Sequence, residues 1–198
     1  MIDRWSQIVA TAAFLVLISA TAATAHEGAG HGGGFISGLT HPIFGLDHVI
    51  AMVAVGLWGV FLGRPALFIL PIVFPLIMAF GGAMGVLGIP VPAVEAGIAA
   101  SAVVLGLLIA FAVKAPLPLA AAIVGVFAIF HGHAHGTELP ESASAATYSI
   151  GFVLSTGMLH LVGIGLGEVM RGSIGRIAAR GLGGIIALMG AAFLTGLA

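Results

Sequence analysis

The stretch HPIFGLDHVIAMVAVGLWG, residues 41–59, sets two histidines and one acid at the head of an otherwise apolar run. A run of this kind belongs in lipid, where ionisable side chains are costly enough that they usually mark a site. A second stretch, FHGHAHGTE at residues 130–138, repeats the combination further along the chain. Together the two hold five of the eight histidines. Histidine and carboxylate without cysteine is the ligand chemistry of a borderline divalent cation. The expected class is a membrane protein that handles metal ions.

Composition agrees. The chain is 60% hydrophobic and 7% charged, with a mean hydropathy of +1.23, whereas charged residues make up about a quarter of an ordinary soluble domain. A spanning helix needs about 20 apolar residues, so 198 residues hold roughly six or seven spans with almost nothing left for a soluble domain. The net charge of −1 argues against a nucleic-acid partner or a polybasic lipid-binding surface. The absence of cysteine excludes disulfides, thiolate metal sites and thiol nucleophiles together.

The first 25 residues read as a secretory signal peptide, with Arg4 as the charged start, an apolar core from Ile8 to Ala20, and Ala23-Thr24-Ala25 as the cleavage site. The alternative is an uncleaved first helix. Residues 26–198 then form one membrane domain, which opens on HEGAGHGGG, expected to be a flexible exterior segment. An all-α bundle of six transmembrane helices follows, at about 42–62, 65–88, 92–113, 116–135, 145–169 and 174–197. Pro42, Pro65, Pro92 and Pro116 stand at the expected first turns. With the mature amino terminus outside, Arg64, Lys114, Arg171, Arg176 and Arg180 all fall on the cytoplasmic side and Glu138 and Glu141 outside, as the positive-inside rule requires. The pairs Gly81 and Gly85, and Gly163 and Gly167, have the spacing that lets membrane helices approach closely. Pro71 and Pro75 should bend the second helix.

If Pro42 opens its helix, His41 lies just outside and His48 about 10 Å deeper. That separation implies either a break near Gly45 or two stations, one at the mouth and one inside, because a zinc-like metal to imidazole bond is only about 2 Å. Asp47 is read as a ligand, a partner orienting a histidine, or a proton acceptor. His131, His135 and Glu138 follow i, i+4, i+7 spacing and share one face if helicity persists to Thr137, whereas His133 points elsewhere. Glu95, in an otherwise uncharged run, calls for a cation, a proton or a histidine partner, unless it reaches the aqueous interface at a positive helix end. With this topology His41, Asp47, His48, Glu95, His131, His135 and Glu138 all fall in the outer half of the membrane. His160 lies near mid-membrane with Glu168 two turns below it, either as an inner station or as a histidine bonded to a carbonyl. His26, His31 and Glu27 are candidates for capturing metal at the mouth, or are simply solvated.

The two motifs, His41, Asp47 and His48 in an H-x5-D-H pattern and FHGHAHGTE with Phe130, His131, His135 and Glu138, resemble the signature motifs of the HupE/UreJ family of nickel permeases. The resemblance covers nearly the whole chain. It implies a secondary transporter in a bacterial inner membrane, multi-pass with a periplasmic amino terminus. The transported substrate would be Ni²⁺, sometimes with cobalt, there would be no organic cofactor, and the metal would supply hydrogenase or urease maturation. It also implies functional roles for the matching His41, Asp47, His48, His131, His135 and Glu138, and supports Glu95.

Two other classes use similar residues. A membrane metalloenzyme needs a histidine and carboxylate site with an open position for water, but no H-E-x-x-H run is present. A haem-binding membrane protein needs two axial histidines facing each other across the bundle. No G-x4-G-K-[ST] run exists, so the chain itself does not hydrolyse ATP. Nitrogen and oxygen ligands accept Ni²⁺, Co²⁺, Zn²⁺ and Cu²⁺ alike, so selectivity rests on geometry.

Overall fold

The structure, a computed structural model, describes residues 34–139 and 144–197. The expected signal peptide, together with His26, Glu27, His31 and Glu141, lies outside the described residues. Among the described residues the regular elements are seven helices: α1 (Gly34–Phe44), α2 (Leu46–Leu62), α3 (Ala66–Val86), α4 (Val94–Ala110), α5 (Leu117–Thr137), α6 (Ala145–Val169) and α7 (Ser173–Thr195).

α2 is the axis. Every residue from His48 to Val60 is buried, because α3, α4, α6 and α7 all pack against it. Around it the remaining helices pair, α1 with α6, α3 with α5, and α4 with α7. Leu57 and Trp58 of α2, Leu70 and Phe74 of α3, and Leu105 and Ile109 of α4 form the centre of the core. The outward faces are just as apolar: Ile72, Leu76 and Phe80 of α3 and Ile185 and Leu188 of α7 are exposed, as lipid-facing positions must be.

Glycine sets the closeness of the α3 and α5 pair. A Cβ added at Gly132 would collide with the Met78 carbonyl and one at Gly136 with the Gly82 carbonyl, while Gly81 abuts the Ile129 carbonyl in return. Both helices thus present small residues four apart, and their backbones touch. Gly163 likewise abuts the Val53 carbonyl and Gly56 the His160 carbonyl, which brings α6 onto α2.

α3, α5, α6 and α7 are each long and apolar enough to cross a membrane, and α1 with α2 qualifies as one span bent by 78°. α4 is apolar but shorter, at 17 residues. The chain is a multi-pass membrane protein.

The first expected helix needs correction. It does not start at Pro42: α1 already runs from Gly34, holds His41 and Pro42 in its last turn, and stops before Gly45. Proline forfeits its own N–H bond and its ring crowds the carbonyl four residues back, a disturbance confined to the last turn because the chain breaks immediately afterwards. α4 is shorter than the expected 92–113 because Ala93 (φ 54°) and Ala112 (φ 52°) are left-handed and cap it at both ends. α3 passes through Pro71 and Pro75 as one continuous helix.

One end of the bundle gathers the cations. Trp58 Nε1, near the end of α2, donates to the Val113 carbonyl at 3.1 Å, and Arg180 Nε of α7 donates to the Ala110 carbonyl at 2.7 Å. Gly167, near the end of α6, packs on the Val60 side chain. Arg64, Lys114 and Arg171 stand in the connections at this end. The start of α2 and the end of α5, which carry the histidine motifs, lie at the other.

Candidate metal centre

Gly45 is the elbow between α1 and α2. Its backbone is extended (φ −81°, ψ 104°), and a Cβ there would meet His48 Nδ1 at 3.0 Å and Asp47 Oδ1 at 3.2 Å. The bare Cα leaves room for a clasp over the helix start. Asp47 Oδ1 accepts from the His48 backbone N–H at 2.9 Å and from His48 Nδ1 at 2.8 Å. A carboxylate only accepts, so Nδ1 carries the proton and Nε2 keeps its lone pair. That Nε2 is buried without a hydrogen-bond partner. Of the three roles open to Asp47 in the sequence, these two hydrogen bonds have the geometry of an orienting partner. Of the two arrangements open to His41 and His48, it shows the break.

α5 stays helical through Thr137, which places His131, His135 and Glu138 along one side. The Ser101 hydroxyl of α4 donates to the Ile98 carbonyl at 2.6 Å, so its oxygen accepts from His131 Nε2 at 3.0 Å. His131 Nδ1 is thereby left with a free lone pair, buried and unpartnered. Neither nitrogen of His135 has a partner. His133 leaves this face, and its Nε2 donates to the Ile89 carbonyl at 2.9 Å.

The four imidazoles form a chain from the surface inward. His41 lies 4.8 Å from His135 between ring centroids, His135 lies 4.4 Å from His48, and His48 lies 4.9 Å from His131. At the mouth His41 Nε2 stands 3.5 Å from Glu138 Oε2, with their side chains 37% and 52% exposed, while the inner end at His131 is 0% exposed. His41, His135 and Glu138 offer ligand atoms all within 4.8 Å of one another. A first-row cation bound at about 2.1 Å holds donors no more than about 4.2 Å apart, so a small contraction closes this triad on an ion. These imidazoles are too close to hold a porphyrin between them.

Glu95 makes no ion pair with the imidazoles among the described residues, and it neighbours the centre through Asp47. It is exposed in the first turn of α4 and lines, with Asp47, Ile98 and Phe193, a separate cavity of about 380 Å³. The first turn of α4 sets Glu95 at the exposed rim, on the side of the centre where Asp47 holds His48. Glu168 is claimed elsewhere, by Arg171 at 2.6 Å. His160 is buried and its two nitrogens have no partner, so it is not bonded to a carbonyl.

Three participants escaped the sequence reading. Ser101 fixes His131, Phe152 packs its ring 4.0 Å from His135, and Tyr148 brings a buried, unpartnered hydroxyl to the level of His41. A serine in an apolar span was the only available sign of the first. The aromatics had none, because they are ordinary residues of a membrane helix.

The two motifs thus converge on one centre. A family model described as HupE / UreJ protein matches residues 14–193. The chain belongs to the HupE/UreJ family. It is also 49% identical over 193 residues to Protein HupE of Rhizobium leguminosarum bv. viciae, covering 98% of this chain and 100% of that relative. No solved structure matches. Both histidine motifs and Ser101 lie inside the stretch that matches the HupE/UreJ family.

Proposed function

We propose that this HupE/UreJ protein is a secondary transporter for uptake of Ni²⁺, with cobalt as an alternative substrate. The observation that carries the reading is the convergence of unpartnered nitrogens. His48 Nε2, His131 Nδ1 and the His135 ring are buried side by side, and the chain of rings opens to the surface at His41 and Glu138. Lone pairs buried without partners in a protein interior are poorly placed for stability and available to a cation. Family membership supports transport, and the resemblance of the motifs supports nickel or cobalt as the cargo.

Five spans, one of them the broken α1 and α2 pair, together with the short α4 make six passes. The positive-inside rule then sets the cation-rich end in the cytoplasm and the histidine mouth in the periplasm. His41 and Glu138 take the ion first and strip part of its hydration, and His135, His48 and His131 receive it in turn. Several moderate sites suit transport better than one tight site, since the ion must also leave. Delivery to hydrogenase or urease maturation is the cellular role that the family resemblance suggests.

Uptake of radioactive nickel by cells expressing the chain tests this, with competing Co²⁺ and Zn²⁺ and with His48→Ala and Glu138→Ala alongside. Wild-type cells should accumulate nickel, and both variants should lose most of it. Equal accumulation by all three defeats the site.

A further inference from the structure

α6 carries a second set of buried polar groups that the outer cluster does not use. Ser155 and Thr156 are 0% and His160 is 1% exposed, yet neither hydroxyl and neither ring nitrogen has a hydrogen-bond partner. Elsewhere in the bundle the hydroxyls of Thr40, Ser101, Thr137 and Thr195 turn back to carbonyls three or four residues earlier, the usual resort of a helical hydroxyl. Two adjacent hydroxyls without that bond, within five residues of an unpartnered imidazole, leave four polar atoms unsatisfied where burial makes this costly. Thr156 and His160 share a helix face by their i, i+4 spacing.

The position is as informative as the chemistry. The His160 ring lies 5.3 Å from Phe74 of α3, and Phe74 lies 5.6 Å from His131, the innermost imidazole of the outer cluster. One fully buried aromatic ring therefore links the outer chain to His160. Along α6, His160 is twelve residues beyond Tyr148, which stands at the mouth, so it lies about 18 Å further toward the cation-rich end.

We infer that His160, with the hydroxyl of Thr156 one turn earlier on the same face, is an inner cation station beyond Phe74. The imidazole supplies one ligand nitrogen, and the hydroxyl holds a water that the ion retains. One nitrogen and one neutral oxygen bind weakly, which suits the last stop before release. The inference rests on the uptake reading for its place in a path.

The test exploits the absence of cysteine from the chain. Full-length His160→Cys in detergent, titrated with Co²⁺, should show a thiolate-to-metal charge-transfer band. Leu161→Cys, one residue on and 66% exposed, should show none. In proteoliposomes, His160→Gln should slow nickel entry by about tenfold or more, while equilibrium dialysis of the same protein finds nickel binding at the outer cluster unchanged. No band from a folded His160→Cys protein, or nickel entry at the wild-type rate in His160→Gln, overturns the station. If His160→Cys elutes as aggregate, the His160→Gln transport arm decides alone. A band with no nickel entry even in wild-type vesicles would reject the uptake reading and leave the buried binding position standing.

Discussion

His48 is held through Nδ1 and His131 through Nε2, so neighbouring imidazoles leave opposite ring nitrogens without a partner. Each depends on one acceptor. Asp47→Asn keeps the shape but removes the charge that fixes the His48 tautomer, and nickel affinity measured by calorimetry should fall about 10- to 100-fold; an unchanged Kd would show that Asp47 does not act through His48. Ser101→Ala strands a buried His131 N–H at a cost of about 1–3 kcal/mol, visible as a lower Tm, which Ser101→Thr should largely restore. Nickel competes with protons for the imidazole lone pairs, so affinity should fall as the pH is lowered. Equilibrium dialysis at neutral and mildly acidic pH checks the sign, and tighter binding in acid would exclude imidazole ligation.

Among the elements, the α3 and α5 contact holds the His131 and His135 face in register. Gly136→Ala would push a methyl into the Gly82 carbonyl, an overpacking cost of about 1–3 kcal/mol, whereas Gly157→Ala meets nothing within 4 Å and should be neutral or stabilising by about 0.5–1 kcal/mol. Thermal unfolding in detergent separates the two, and equal Tm values would mean that the helices part without loss. The face itself was legible in the sequence, because i, i+4, i+7 spacing on a helix is a local property. α1 was not. Its segment GFISGLTHPIF holds two glycines and a proline and is a weak helix by propensity. It is secured from outside, where Gly38 abuts the Tyr148 carbonyl and Gly151 the Phe35 carbonyl, contacts that no periodicity displays. The bend at Gly45 stayed one of two alternatives for a related reason: the apolar pattern runs through it, and only tertiary packing selects the break.

At the scale of the whole molecule, the two ends differ in chemistry and so predict sidedness. A membrane-impermeant maleimide should label Ser144→Cys in intact spheroplasts and Lys114→Cys only after permeabilisation, since both positions are exposed at opposite ends of the bundle; the reverse pattern would invert the topology. The Asp47 and His48 clasp has a consequence in time as well as in space. Its partners are adjacent in the chain, whereas His131 waits for Ser101, thirty residues away. During biosynthesis α2 therefore emerges with its imidazole already aimed, and α4 is in place before α5 is made. The mouth at His41 is set last, when α6 packs on α1 and α2.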